Sequence, residues 1–193
     1  MQKINTHRQL LFIVFITLLQ VTVCFGQTKA TKHTFRLLTY GLPNFQKQNA
    51  ENVISSKWGI EFYAVAGCDV SQELQDSVEQ HNKIVEPLIE KKYGKNWEKK
   101  FYKEVDDEFE KEEKVITLVE KLHYIEKRQV EMEKEGNGLH YTITPIQNST
   151  KYNVFVQGWG KWDGEDEWVT YYKLLVDYKT KSVKLISDKI TRE

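Results

Sequence analysis

Cysteine is scarce in this chain. The 193 residues include two cysteines, Cys24 and Cys68, and Cys24 falls in a segment that we predict to be removed. A single remaining cysteine excludes a disulfide bond within the mature chain. In an oxidising compartment such a cysteine is buried, paired between chains or reactive. We expect Cys68 to be a small buried packing residue, because free cysteine is among the most buried residue types.

An excess of charge of one sign is also lacking. The chain has 28 lysines and arginines and 28 aspartates and glutamates. This balance argues against nucleic acid or an anionic membrane surface as the main partner, since both attract strongly basic proteins. The histidines His33, His123 and His140 show no spacing typical of metal ligands, with one another or with Cys68, so we predict no metal site and no cofactor.

Long hydrophobic runs are limited to residues 10–23. At about 1.5 Å per residue this run spans about 21 Å as a helix, less than the ~30 Å hydrocarbon core of a bilayer. Lys3 and Arg8 precede it, which is typical of a secretion signal. The run therefore favours a cleavable signal peptide over a stable membrane span.

The end of this signal is predicted from small residues. Cys24 and Gly26 lie three and one residues before Gln27, the pattern that signal peptidase prefers, so we expect cleavage between Gly26 and Gln27. The protein is then exported, either periplasmic or secreted. The alternative is a lipid anchor at Cys24, although Val23 is bulkier than the residue that usually precedes such a cysteine.

The remaining chain predicts an α+β fold. After the signal peptide at residues 1–26 we expect a flexible lead-in at 27–34, an α/β lobe at 35–112, and a lobe of one helix and an antiparallel sheet at 113–193. The first lobe begins with a β-α-β-α segment, amphipathic helices occupy the centre, and a four-stranded antiparallel meander ends the chain.

The N-terminal elements follow from local patterns. Residues 35–40 and 60–66 are rich in aromatic and aliphatic side chains and predict strands, while 50–57 predict a short helix that ends at Gly59. From Asp69 onward a helical stripe is expected to end near Gly94. Its members are Leu74, Val78, His81, Val85 and Leu88. A capping box from Asp69 to Gln72, or Ser71 alone, begins this helix, and Pro87 is expected to kink or split it.

Residues 97–135 predict one broken helix or two. The charged run at 106–114 is interpreted as a solvated helix face or a loop between the lobes. Helical spacing stops at Gly136, and four strands follow at 139–146, 152–159, 168–177 and 183–188. In the third strand one face is expected to point at the core. This would bury at least one of Trp159, Trp162 and Trp168. That face comprises Trp168, Thr170, Tyr172, Leu174 and Val176.

Two stretches resemble known families. Residues 65–76 (VAGCDVSQELQD) and the segment 89–93 (IEKKY), which continues to Trp97, resemble the FEKKY domain, a family of exported proteins from Bacteroidetes-type bacteria. The resemblance covers residues 35–105 and implies a location and a lineage rather than a reaction. Residues 173–183 resemble the last hairpin of PepSY-type modules, and a helix followed by a four-stranded meander also resembles cystatin-like proteins.

A thiol site is one candidate for chemistry. Cys68 lies between a predicted strand and the start of a helix, where the helix dipole stabilises a thiolate, and His81 is a candidate base. His81 also lies on the apolar stripe of its helix, so a half-buried and hydrogen-bonded histidine is the preferred interpretation.

The tryptophans of the last hairpins are the second candidate. Trp159, Trp162 and Trp168 can stack on a sugar or hold a peptide, or they can pack across the strands. The acidic run at 163–167 carries the oxygen ligands that calcium uses, but a hairpin turn with solvated acids explains it more simply.

The sequence thus favours an exported, non-enzymatic module that binds an unidentified ligand in the cell envelope or outside the cell. One alternative is a thiol-dependent enzyme, redox or nucleophilic, built on Cys68 and His81. A PepSY-like or cystatin-like protease inhibitor is a further alternative.

Overall fold

The computed structural model of the protein describes residues 35–192. The predicted signal peptide, its cleavage site between Gly26 and Gln27, the alternative lipid anchor at Cys24 and the lead-in at 27–34 lie outside the described residues. Across residues 35–192, none of the helices combines the length and the apolar character that a membrane crossing requires.

The described residues begin with a parallel β-α-β unit. Strands β1 (Phe35–Tyr40) and β2 (Ile60–Ala66) pair in parallel, and helix α1 (Gln48–Trp58) connects them. Both strands have the predicted bounds. Gly59 ends α1 with a φ of 67°, the left-handed conformation in which glycine carries no steric penalty.

Helix α2 (Gln72–Tyr93) closes the open edge of β1. Ser71 begins it, because its hydroxyl accepts a hydrogen bond from the Leu74 amide at 3.3 Å. The Asn82 side chain then accepts from the Leu38 amide and donates to the Leu38 carbonyl, both at 2.9 Å. This side-chain amide takes the place of a neighbouring strand on β1.

Of the two predicted effects of Pro87 on α2, a kink or a split, the split is wrong, and the kink stays a prediction. The helix continues through Pro87, although proline removes one backbone hydrogen bond. Val85 and Ile89 flank the proline and pack into the same hydrophobic core. Ile89 occupies the core position that the spacing assigned to Leu88, and Leu88 is exposed.

Residues 97–134 form two helices, α3 (Trp97–Glu120) and α4 (His123–Lys134). Helix α3 contributes to two hydrophobic clusters. Its first half packs Phe101 and Val105 against β1, α1, β2 and α2, and its second half packs Val115 and Val119 against the C-terminal sheet. The predicted boundary between residues 112 and 113 falls inside α3, and the division into two lobes stays a prediction.

The C-terminal sheet confirms the predicted meander and the α+β class. Its strands β3 (His140–Pro145), β4 (Lys151–Trp162), β5 (Glu165–Asp177) and β6 (Ser182–Ser187) pair antiparallel in that order. A short strand that the sequence did not predict, β7 (Thr191–Arg192), also pairs with β5.

A β-bulge changes which side chains of β5 face the core. The pairing of β4 with β5 shifts between Val156 and Gln157, which leaves Tyr171 as the extra residue. Tyr171 and Val169 therefore face the helices and pack with Met132, whereas Trp168 lies on the opposite face. The prediction that Trp168 shares the core face of Leu174 is wrong, because alternation holds only where the register is unbroken.

Candidate functional site

The turn between β4 and β5 presents a set of aromatic side chains that we call the aromatic hairpin, residues 159–168. Asp163 and Gly164 both have positive φ, 51° and 89°, as a tight two-residue hairpin turn requires. Lys161 and Asp166 form an ion pair of 2.8 Å across the strands. The acidic run at 163–167 comprises this turn and the first three residues of β5, and its acids are mainly exposed, as predicted.

Two tryptophans and a histidine form a row on the outer face of the sheet. The rings of Trp159 and Trp168 meet edge to face with their centroids 5.8 Å apart. The Trp168 ring also lies 4.9 Å from the imidazole of His140. Trp159, at the end of the row, is 49% exposed, so one large aromatic surface is open to solvent.

The third tryptophan has a different position. Trp162 is half-buried and packs against the cluster of Met132, Val169 and Tyr171 on the helix side of the sheet. None of the three tryptophans of the hairpin is fully buried, so the prediction of a buried one is wrong. Val169 and Tyr171 occupy the core instead.

A depression of 480 Å³ lies beside Trp159. Its lining residues are polar apart from the tryptophan: Glu135, Asn137, Lys161 and Asp166. An aromatic surface beside carboxylate, amide and ammonium groups can stack on a ligand and form hydrogen bonds to its polar edge. Within residues 35–192, no group of three or more histidine, cysteine, aspartate or glutamate side chains is arranged to hold a metal ion.

The predicted burial of Cys68 is wrong. Cys68 is exposed and lies in the short segment between β2 and α2. His81 lies nine residues into α2, about 14 Å along the helix from its start. Its Nε2 lies 3.0 Å from the Arg36 carbonyl oxygen, and the residue is half-buried, as predicted. The histidine thus interacts with the edge of β1 rather than with the thiol.

Two buried carboxyl groups in α3 are a finding that sequence analysis missed. Glu108 and Glu112 belong to the charged run at 106–114, which we interpreted as solvated, yet both are buried. The Tyr152 hydroxyl donates to Glu108 at 2.6 Å, and the Asn49 amide donates to Glu112 at 2.6 Å. The solvated interpretation is wrong for these two residues, because partners from α1 and β4 replace water around them.

Burial and charge change the acidity of Glu112. Burial raises the pKa of Glu112 to about 7; the Asn49 hydrogen bond opposes the rise and the Glu108 charge adds to it. A carboxyl group of this pKa is suited to proton transfer near neutral pH. Glu112 is only 4% exposed, however, so the geometry favours a structural network that connects α1, α3 and the sheet.

The sequence did contain a signal for these residues. Phe101, Val105, Val115 and Val119 follow the spacing of one helical stripe, and the positions that continue it through the charged run are 108 and 112. A charged residue at a stripe position predicts a buried, partnered carboxylate.

The resemblances to the FEKKY domain and to PepSY-type or cystatin-like modules stay predictions. No protein-family model, no curated protein and no solved structure matches the chain.

Proposed function

We propose that this protein is an exported, non-enzymatic module that binds a carbohydrate of the cell envelope or the extracellular medium on its aromatic hairpin. The observation that carries the proposal is the exposed ring of Trp159 beside a polar depression. Sugars present an apolar ring face and polar hydroxyl edges, and this surface offers a counterpart for each.

The geometry supports a preformed surface. Trp168 packs against Trp159, and His140 packs against Trp168, so the rings are held before a ligand arrives. Preorganisation lowers the entropy cost of binding. The ion pair of Lys161 and Asp166 fixes the polar edge of the same depression.

Titration with envelope sugars tests the proposal. The panel comprises oligomers of N-acetylglucosamine, glucose and xylose, followed by isothermal titration calorimetry and tryptophan fluorescence. We expect saturable binding of at least one sugar, and Trp159→Ala to weaken it at least tenfold, equivalent to about 1.4 kcal/mol. Trp159→Phe, which keeps an aromatic face, is expected to retain part of the affinity.

The matched control is Tyr63→Ala. Tyr63 is an aromatic residue of similar exposure, 47%, on β2. Its removal is expected to leave sugar affinity unchanged. Absence of binding across the panel, or equal losses in the two alanine variants with unchanged melting temperatures, contradicts the proposal.

A second candidate function rests on the exposure of Cys68. An open thiol just before the start of α2 is compatible with thiol chemistry, which buried cysteine is not. Alkylation of the folded protein across pH tests this alternative. A midpoint well below the ordinary thiol pKa of about 8.5 supports it, and an ordinary midpoint contradicts it.

A further inference from the structure

A second cleft lies beside the carboxyl end of β1 and extends along β2. We call it the strand-end cleft; it has a volume of 560 Å³ and is lined by the end of β1, the first turns of α1, part of β2 and one residue of α3.

Aromatic side chains form part of the cleft wall. Tyr40 is half exposed at the end of β1, and Phe62 and Tyr102 line the cleft with ring centroids 6.5 Å apart. The Phe101 ring packs edge to face against Tyr102 at 5.4 Å and fixes its position. Faces of such rings attract cations.

The charged groups that line the cleft have one sign. Glu51 and Glu61 are present, and among the described lining residues there is no lysine, arginine or histidine. Glu61 is paired with Arg36 at 2.6 Å. The nearby Lys47 is engaged with Asp106 at 2.6 Å, so it does not neutralise the cleft.

Burial and nearby carboxylates change the acidity of two lining groups. Burial raises the pKa of the Glu51 carboxyl, and burial, Glu51 and Glu98 together raise the pKa of the Tyr102 hydroxyl. The Glu51 shift reflects desolvation alone, whereas the Tyr102 shift also reflects the negative charges of Glu51 and Glu98. A cation beside Glu51 would favour its charged form and so offset the cost of burial, which a neutral ligand would not do.

We propose that the strand-end cleft binds a small organic ammonium ion, with its charge beside Glu51 and its alkyl groups against Tyr102 and Phe62. The Asn52 and Ser55 side chains, which also line the cleft, offer hydrogen bonds to a polar substituent of the ligand. This site is separate from the aromatic hairpin, and the two proposals stand independently.

The test uses choline and a neutral molecule of the same shape. In 3,3-dimethylbutan-1-ol a carbon atom replaces the ammonium nitrogen, so the pair differs in charge alone. Amide resonances of the purified protein are followed by NMR during titration with each. We expect saturable shifts of the Asn52 and Ser55 amides with millimolar choline, and at least tenfold weaker binding of the alcohol.

Substitutions then test how much the Glu51 charge and the Tyr102 ring contribute to choline binding. Glu51→Gln is expected to weaken choline binding at least tenfold, and Tyr102→Leu to weaken it severalfold. Glu113→Gln, which removes an exposed carboxylate further along α3, is expected to have no effect. Equal affinity for choline and the alcohol, an unchanged affinity in Glu51→Gln, or the absence of saturable shifts overturns the proposal, whatever the outcome at Trp159.

Discussion

The parallel pair β1–β2 and the antiparallel sheet β3–β6 both pack on α3, but their faces and edges are covered in different ways. The parallel pair has helices on its core face, and a side-chain amide of α2 covers the edge of β1. The antiparallel sheet has helices on one face and exposes an aromatic row on the other. A short parallel pair needs covering elements to be stable, whereas a longer antiparallel sheet leaves a face available for binding.

Helix α3 packs against both regions. The buried stripe of this helix is apolar at its two ends and carries carboxyl groups at its centre. Its ends bury apolar residues in the separate clusters, and its centre buries Glu108 and Glu112 between them. The two regions therefore meet at a polar network rather than at a continuous apolar core. Four predictions test how far the regions behave alike.

The largest expected effect comes from deleting the central side chain of each cluster. Phe101→Ala is expected to lower the free energy of unfolding by about 3–5 kcal/mol and Leu174→Ala by about 2–5 kcal/mol, because both residues are almost fully buried. Since α3 belongs to both clusters, each variant should shift the same single transition in urea, followed by circular dichroism and tryptophan fluorescence. Leu42→Ala, at an exposed residue, is the control. Two separate transitions, of which each variant moves one, would contradict this expectation.

The second prediction compares glycines of the two regions. A Cβ at Gly160 would meet the Tyr171 hydroxyl and lie 3.0 Å from the Val169 side chain, whereas a Cβ at Gly67 has no atom within 4 Å. Gly160→Ala is expected to cost about 1–3 kcal/mol by displacing Tyr171 from its hydrogen bond with the Trp159 carbonyl. Gly67→Ala should change stability by about 0.5 kcal/mol or less. Similar melting temperatures for the two variants would show that the sheet tolerates the added methyl group.

The third prediction concerns the polar network at the junction. Tyr152→Phe removes the hydroxyl that donates to Glu108 and leaves a buried carboxylate with one fewer partner, so we expect a loss of about 1–3 kcal/mol. Tyr63→Phe makes the same chemical change on an exposed ring and should be neutral. Equal stability of both variants in urea denaturation would mean that water replaces the Tyr152 hydroxyl.

The smallest effect depends on pH. The pKa of Glu112 is about 7 in the folded protein, above its ordinary value of 4.5, so the folded state binds this proton more tightly than the unfolded state does. The contribution of Glu112 to the free energy of unfolding is therefore fully present below pH 4.5 and is lost as pH rises through 7. Glu112→Gln keeps an acceptor for Asn49 and cannot ionise, so it should melt a few degrees higher than the natural protein at pH 8 but not at pH 5. Glu113→Gln, at an exposed neighbour, should match the natural protein at both values. A pH-independent difference for Glu112→Gln would contradict the assignment.

Short-range patterns of the sequence predicted most of the elements. The bounds of β1 and β2, the serine that begins α2, and the glycines that end α1 and α2 all follow from side-chain alternation, capping and left-handed backbone. These signals act over a few residues, so they do not depend on the rest of the fold. The meander was predicted for the same reason, apart from the two-residue β7, which is too short to carry a pattern.

The tertiary structure decided the environment of several side chains that local patterns left open. The bulge at Tyr171 turned Trp168 away from the core, the packing of α1 and β4 on α3 enclosed Glu108 and Glu112, and the loop before α2 left Cys68 open. The first two outcomes depend on partners that are distant in sequence. Periodicity fixes the direction of a side chain relative to its own helix or strand, and only the surrounding fold determines what that side chain meets.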